Sequence, residues 1–308
     1  MSAHHASHDG HAHTNSAVAY GRLFAVGVSL NLLFVIIEWG FGMYANSLSL
    51  IADAVHNLGD VLGLVLAWVA SLLAQKKPDH KFTYGYKGST ILTALTNAVS
   101  LLLVTGGLSW EAIHRLDETH HINELAVITV ASAGIVVNGF TAWLFMAGAK
   151  TDLNMRGTYL HLASDAAISA AVVVGAGLVM YTGWSVIDPL LTLLVSGVIV
   201  FSTWQMFTQS LAMALQAVPA HIDILEVKEY LGSMEGVAQV HDIHIWAIST
   251  TDTAMTAHLV MPSGHPGDTF LQTTTEAVAH RYGIHHCTLQ IEVSNPPTNC
   301  RLASDHVI

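Results

Sequence analysis

The chain has 308 residues, 52% hydrophobic and only 11% charged, with a net charge of −11 and a mean hydropathy of +0.49. So little charge excludes a disordered chain, a collagenous repeat and a disulfide-stapled mini-protein, and the acidic balance excludes a general nucleic-acid binder. Histidine is the second departure, 20 copies against 11 Lys plus Arg, and an apolar chain rich in this side chain points to a membrane protein that handles metal.

Residues 1–16 read as a flexible cytosolic tail. Five histidines fall within Met1–His13 and no base does, so the tail is either a chelator that raises local metal concentration or a dispensable segment. The apolar run that follows is too long for the core of a signal peptide. Six such runs follow one another: Val18–Tyr44, Leu48–Leu73, Ser89–Ile113, Leu125–Gly148, Gly157–Tyr181 and Ile187–Leu215. Each is close to the ~20 residues that a bilayer-spanning helix needs. Lys and Arg then orient the chain. With the N-terminus inside, Arg22, Lys76, Lys77, Lys81, Lys87, Lys150 and Arg156 fall on the cytosolic side and only Arg115 outside. This positive-inside pattern predicts a six-helix transmembrane domain over 17–216, in the cell's inner (plasma) membrane, with both termini cytoplasmic.

Composition changes at Pro219. Residues 217–308 carry ten acids, three bases and no span-length apolar run, which predicts one small cytosolic domain. Ile222–Met234 and Gly267–Tyr282 have helical apolar spacing, while Val237–Ala247, Thr253–Met261 and Ile284–Val293 read as strands. The order αββαβ predicts a small sheet with helices on one face, a ferredoxin-like or metallochaperone-like domain. Cys287 and Cys300 are too few for a disulfide framework and read as reduced thiols.

Only two histidines lie inside the apolar runs, His56 and His161, and each is followed four residues later by an aspartate, Asp60 and Asp165. The i,i+4 spacing puts each pair on one helix face. An ionised Asp near mid-bilayer costs at least ~2.5–3.5 kcal/mol, so these faces must turn inward. Two imidazoles and two carboxylates make a four-ligand set that suits tetrahedral Zn²⁺, while the lack of sulfur disfavours Cu⁺ and the imidazoles disfavour Mg²⁺ and Ca²⁺. The alternatives are a pair of buried His–Asp hydrogen bonds tying the bundle, or a proton path without metal. Asp53 extends the same stripe, either as a cation-attracting group or as a wetted residue near the outer end. Glu38 has no spacing partner and could line the same cavity. Asn31, Asn97 and Asn138 read as interhelical hydrogen-bonding residues.

The run Ser47-Leu-Ser-Leu-Ile-Ala-Asp-Ala-Val-His-Asn-Leu-Gly-Asp60 resembles the second-helix signature of the cation diffusion facilitator family. His161-Leu-Ala-Ser-Asp165, Asp188-Pro189, Phe82-Thr-Tyr-Gly85 and Val240-His-Asp-Ile-His-Ile-Trp246 are similar to it too. The resemblance implies a homodimeric metal/proton antiporter that exports divalent cations from the cytosol, with protons as counter-ion. It places the transport site on His56, Asp60, His161 and Asp165, and an H-x-x-x-D pair on both helices goes with zinc preference in that family. It also implies cytosolic metal positions at His241, His258, His285 and Glu292, with His244, His286 and Cys287 as further candidates; the other reading is surface histidines on an acidic sheet. Strand alternation sets Glu292 on the face of His286 rather than His285 unless the strand begins after His285 or there are two sites. The loop Lys76–Lys87 offers only two plausible ligands, Asp79 and His80, among lysines, and no metal is assigned to it. Two rivals from other classes remain: an intramembrane zinc hydrolase, for which no H-E-x-x-H is present, and a membrane-bound metal sensor.

Overall fold

The computed structural model describes residues 12–117, 120–146 and 153–293. Most of the N-terminal histidine-rich tail, Cys300 and His306 lie outside them. Six long helices come first: α1 (Ala12–Ala45), α2 (Leu48–Ala74), α3 (Ser89–Arg115), α4 (Glu124–Met146), α5 (Leu153–Thr182) and α6 (Ile187–Ala214). Then follow α7 (Ile224–Gly232), β1 (Gln239–Ala247), β2 (Thr253–Val260), α8 (Asp268–Tyr282) and β3 (His286–Glu292). The expected αββαβ order is present, and α1 reaches back into the segment read as a tail.

Among the described residues, five helices are long and apolar enough to cross a membrane, and Ser29–Ala45 supplies a shorter apolar stretch of α1. Large apolar side chains on these helices stand outward, Phe201 at 86% and Leu103 at 71% exposure. Water would not tolerate such surfaces on so many helices; a bilayer does. The chain is a multi-pass membrane protein.

The described residues form two compact units, one within Met1–Leu62 and Ser100–Ser202 and one within Gly63–Val99 and Thr203–Ile308. In the first, α2 lies between two apolar clusters. Leu50 joins Phe34, Val127, Val130 and Val172 of α1, α4 and α5, and Ile51 and Val55 join Leu101, Val195 and Ile199 of α3 and α6. Glycine allows the close approaches: a Cβ at Gly59 would stand 2.9 Å from Leu101, and one at Gly134 2.8 Å from Phe34. The start of α2 is fixed from α6. The Asp188 carboxylate accepts from Ser47 Oγ (2.6 Å), Ser49 Oγ (2.5 Å) and the backbone N–H groups of Leu48 (2.8 Å) and Ser49 (3.3 Å). Ser47 Oγ in turn accepts from Leu50 N–H, the N-cap bond that satisfies an orphan donor of the first turn.

In the second unit, β1 pairs antiparallel with β2, and β2 pairs parallel with β3 through the α8 crossover. Val227 and Leu231 of α7 and Val278 of α8 pack with Ile243, Met255 and Leu259 of the sheet. Asp223 caps α7, accepting from Leu225 N–H at 2.8 Å. Gly283, at φ +70°, ends α8 in the left-handed region that glycine adopts without a Cβ clash.

Candidate metal sites

His56 and Asp60 on α2 face His161 and Asp165 on α5. His56 Nε2 lies 3.2 Å from Asp165 Oδ1 and 3.9 Å from Asp60 Oδ2, and His161 Nε2 lies 3.3 Å from Asp60 Oδ2 and 3.7 Å from Asp165 Oδ2. Of these four contacts only the first has hydrogen-bond geometry. His161 stands outside the tightest group of the four. Ligand atoms of His56, Asp60 and Asp165 all lie within 4.8 Å of one another, the spacing of a set that could hold one cation. The site has two halves: the side chains of His56 and Asp165 are 11% and 4% exposed, those of His161 and Asp60 46% and 32%. The exposed pair lies toward the Ala74 end of α2 and the Leu153 end of α5.

Asp53 is fully buried, which corrects its reading as a wetted residue. Its Oδ2 accepts from Ser169 Oγ at 2.8 Å, and Glu38 Oε2 accepts from Asn57 Nδ2 at 3.2 Å. The interhelical amide bond therefore comes from Asn57. No such bond joins Asn31, Asn97 or Asn138 to another described residue, and the buried Asn138 Nδ2 has no partner among them. Glu38 is buried beside Asn57 of α2.

In the second unit, a row across the sheet brings His241 of β1 opposite His258 of β2 and Gln290 of β3, with Glu292 diagonal to His258. Glu292 Oε1 lies 2.9 Å from His258 Nδ1 and 3.4 Å from His241 Nε2, and both imidazoles are buried. Ligand atoms of His241, His258 and Glu292 all lie within 4.8 Å of one another. Asp242 joins them, 3.4 Å from His258 Nε2 and 3.0 Å from His244 Nε2. Sequence reasoning missed Asp242, because strand alternation turns it away from His241. The ladder is irregular between His241 and His244, and Asp242 takes φ +49°, a left-handed conformation that Asp tolerates better than most residues.

His285, His286 and Cys287 do not join this cluster. β3 begins at His286, after His285, and runs to Glu292, so His286 and Glu292 sit about 20 Å apart at the strand's rise and His285 lies beyond His286. The His286 ring lies edge-on to Tyr84, with centroids 5.2 Å apart. Cys287 pairs with Met255 and packs against the domain core, where burial pushes its thiol up to about 11. Asp79 is used locally, accepting from the Lys81 and Phe82 N–H groups at 2.7 Å each. Lys87 and Asp252 form an ion pair at 3.0 Å beside a bond from Thr250 N–H to Thr90 Oγ1. Burial raises the Asp252 carboxyl, but the Lys87 ammonium outweighs it and holds the group below the usual carboxylate range.

The family model described as the cation efflux transmembrane domain matches residues 24–213, and that described as the cation efflux protein, cytoplasmic domain, matches 219–294. The chain is 32% identical over 285 residues to the cadmium, cobalt and zinc/H(+)-K(+) antiporter of Bacillus subtilis (strain 168), with 91% of each chain covered. It is 34% identical over 271 residues to the zinc transporter ZitB of Yersinia pestis, covering 87% of this chain and 86% of that one. A solved structure of the metal-bound C-terminal domain of the CzcD transporter from Cuprividus metallidurans is 30% identical, covers 23% of this chain and 99% of its own, and has a TM-score of 0.22.

Proposed function

We infer that this chain, which belongs to the cation efflux (cation diffusion facilitator) family, exports divalent metal ions, Zn²⁺ foremost, from the cytosol in exchange for protons. The observation that carries the reading is the convergence of His56, Asp60, His161 and Asp165 from two helices, with only one of their four contacts satisfied as a hydrogen bond. These four groups are the proposed transport site. Two nitrogens and two oxygens suit Zn²⁺, and the same groups take up protons when the metal leaves, because ligands must be deprotonated to coordinate. The names of two relatives, one a zinc transporter and one an antiporter, support the same exchange.

The basic residues support a chain with both termini cytoplasmic, in the inner membrane, divided into a tail (1–16), a transmembrane domain (17–216) and a cytosolic domain (217–308). In that orientation the exposed half of the site, Asp60 and His161, faces the cytosol, and the buried half, His56 and Asp165, faces the exterior: an inward-open arrangement ready to load metal. Alternating access then requires the exposure of the two halves to reverse. The chain acts as a homodimer through its cytosolic domain. Zinc held by His241, His258 and Glu292, with Asp242 beside them, would draw acidic surfaces together and bias the membrane helices. Asp242, rather than His285, is the proposed additional group at this cluster.

Proteoliposomes carrying a pH dye inside test the reading. Zinc should drive proton flux, cadmium, cobalt or nickel should drive less, and His56→Ala should abolish the zinc response. Zinc uptake with no proton movement, or undiminished flux in the variant, would refute the exchange.

A further inference from the structure

Glu38 on α1 and Asp53 on α2 are not among the grouped ligand atoms of the metal site, yet both are 0% exposed. Each carboxyl is an electrostatic neighbour of the other. One oxygen of each is accounted for, Glu38 Oε2 by Asn57 and Asp53 Oδ2 by Ser169. The other two, Glu38 Oε1 and Asp53 Oδ1, have no partner among the described residues. Two carboxylates side by side and away from water do not both stay ionised, whereas a single proton held between them leaves one charge and gives the pair a donor.

Among the described residues, His56 is the one group facing Asp53 that can carry a positive charge. On α2 the titratable group facing Asp53 is His56, and on α5 it is Asp165. The described part of α4 carries no charged residue beyond Glu124 at its start, and presents Gly134 to Phe34 and Ser169. α3 and α6 meet α2 through Leu101, Val195 and Ile199. Asp53 precedes His56 by three residues, a rise of about 4.5 Å along the helix. At that range the field of a divalent cation bound at the metal site acts directly on the pair.

We propose that Glu38 and Asp53 form a second proton-carrying site, which holds one shared proton while the metal site is empty and gives it up when a divalent cation binds. On metal binding the O–H bond of the pair breaks and the proton passes to water; on metal release, a proton from water restores it. The pair adds a proton to the exchange without ligating the metal. This rests on the exchange reading of the metal site, and the test separates the two.

Purified full-length protein in weakly buffered detergent, with a pH indicator, is titrated with zinc sulfate, and the protons released per zinc bound are counted. The parent should release about one proton more than Asp53→Asn or Glu38→Gln, each of which leaves a single carboxylate stabilised by an amide donor. Equal counts in the parent and both variants, with a lower count in His56→Ala, would overturn the pair and leave the exchange reading standing. Equal counts in the parent and His56→Ala would instead defeat the exchange reading. If the variants do not fold, infrared difference spectra of the parent decide. A carbonyl band of a protonated buried acid should be present without zinc, shift with isotope-labelled aspartate and vanish when zinc binds. A zinc-free parent lacking that band would refute the shared proton.

Discussion

Replacing Asp165 by alanine tests the transport site most directly. Its carboxylate is nearly sealed, at 4% side-chain exposure, and is the one acid within 3.7 Å of both imidazoles. Four-ligand zinc sites bind with at least ~10 kcal/mol, so one ligand in four is worth about 2.5 kcal/mol, or roughly 70-fold in affinity. The readout is zinc uptake into proteoliposomes loaded with a zinc indicator, a measurement to which the cytosolic cluster contributes no signal of its own. Half-saturation should move up by roughly 70-fold, taking flux at low zinc below detection. Loss of folding is a separate outcome with its own signature. Removing a buried charge relieves a desolvation cost, so the metal-free variant should melt close to the parent, and only the zinc-induced rise in melting temperature should shrink. A half-saturation within about threefold of the parent, well short of the ~70-fold expected, would refute ligation by Asp165.

Three further outcomes follow from the geometry. Asp188→Ala strands two hydroxyls and two backbone N–H groups at the start of α2, and should cost about 2–4 kcal/mol in a detergent unfolding titration; a loss under ~0.5 kcal/mol would sink the anchoring role. Lys87→Met should remove about 0.5–1 kcal/mol at neutral pH, the usual worth of a partly exposed pair. Because Asp252 lies below its ordinary value in the folded chain, that contribution is present above the unfolded carboxylate value of ~3.9 and is lost as the pH falls through the folded one. A parent–variant difference that persists under more acidic conditions would contradict the pairing. In a Cys300→Ser background, Cys287 should react with a maleimide at pH 8 roughly 200-fold more slowly than a free thiol, since its thiolate forms only near 11. The rate should climb tenfold per pH unit toward that value, and fast labelling at pH 8 would show the thiol to be outside the core.

The elements were legible because their signals are strong and local. The predicted span Leu48–Leu73 became α2 over Leu48–Ala74, and the strand Thr253–Met261 became β2 over Thr253–Val260. The His56/Asp60 and His161/Asp165 pairs were legible for the same reason, since i,i+4 spacing is a property of one helix. What failed depended on partners distant in sequence. Asp53 looked wetted because nothing near it in the chain announces Ser169 on α5 or Glu38 on α1. His285 was a candidate through the family resemblance alone, and a seven-residue strand carries Glu292 to the far end of the sheet from it. Asp242 was hidden by an irregularity in β1 that the pattern Val-His-Asp-Ile-His does not encode.

Asp188 also bears on whether the intramembrane quartet is a tie between helices or a cation site. It is a buried acid whose work is structural: two hydroxyls and two N–H groups donate to its carboxylate, all within 3.3 Å, and none is left to spare. A tie between α2 and α5 would be expected to look the same. The quartet does not. Asp60 Oδ2 accepts no well-formed hydrogen bond although His161 Nε2 is 3.3 Å away, and His56 Nδ1 has no partner among the described residues. Half of the quartet is also open, with the His161 side chain 46% exposed. A purely structural polar network gains nothing from unmade bonds, because each buried polar group left unpaired costs about 1–3 kcal/mol. A site that must take up a cation, release it and hold protons in between requires acceptors that are free to change partner. The contrast between Asp188 and Asp60 thus favours exchange over bracing as the role of the two His–Asp pairs.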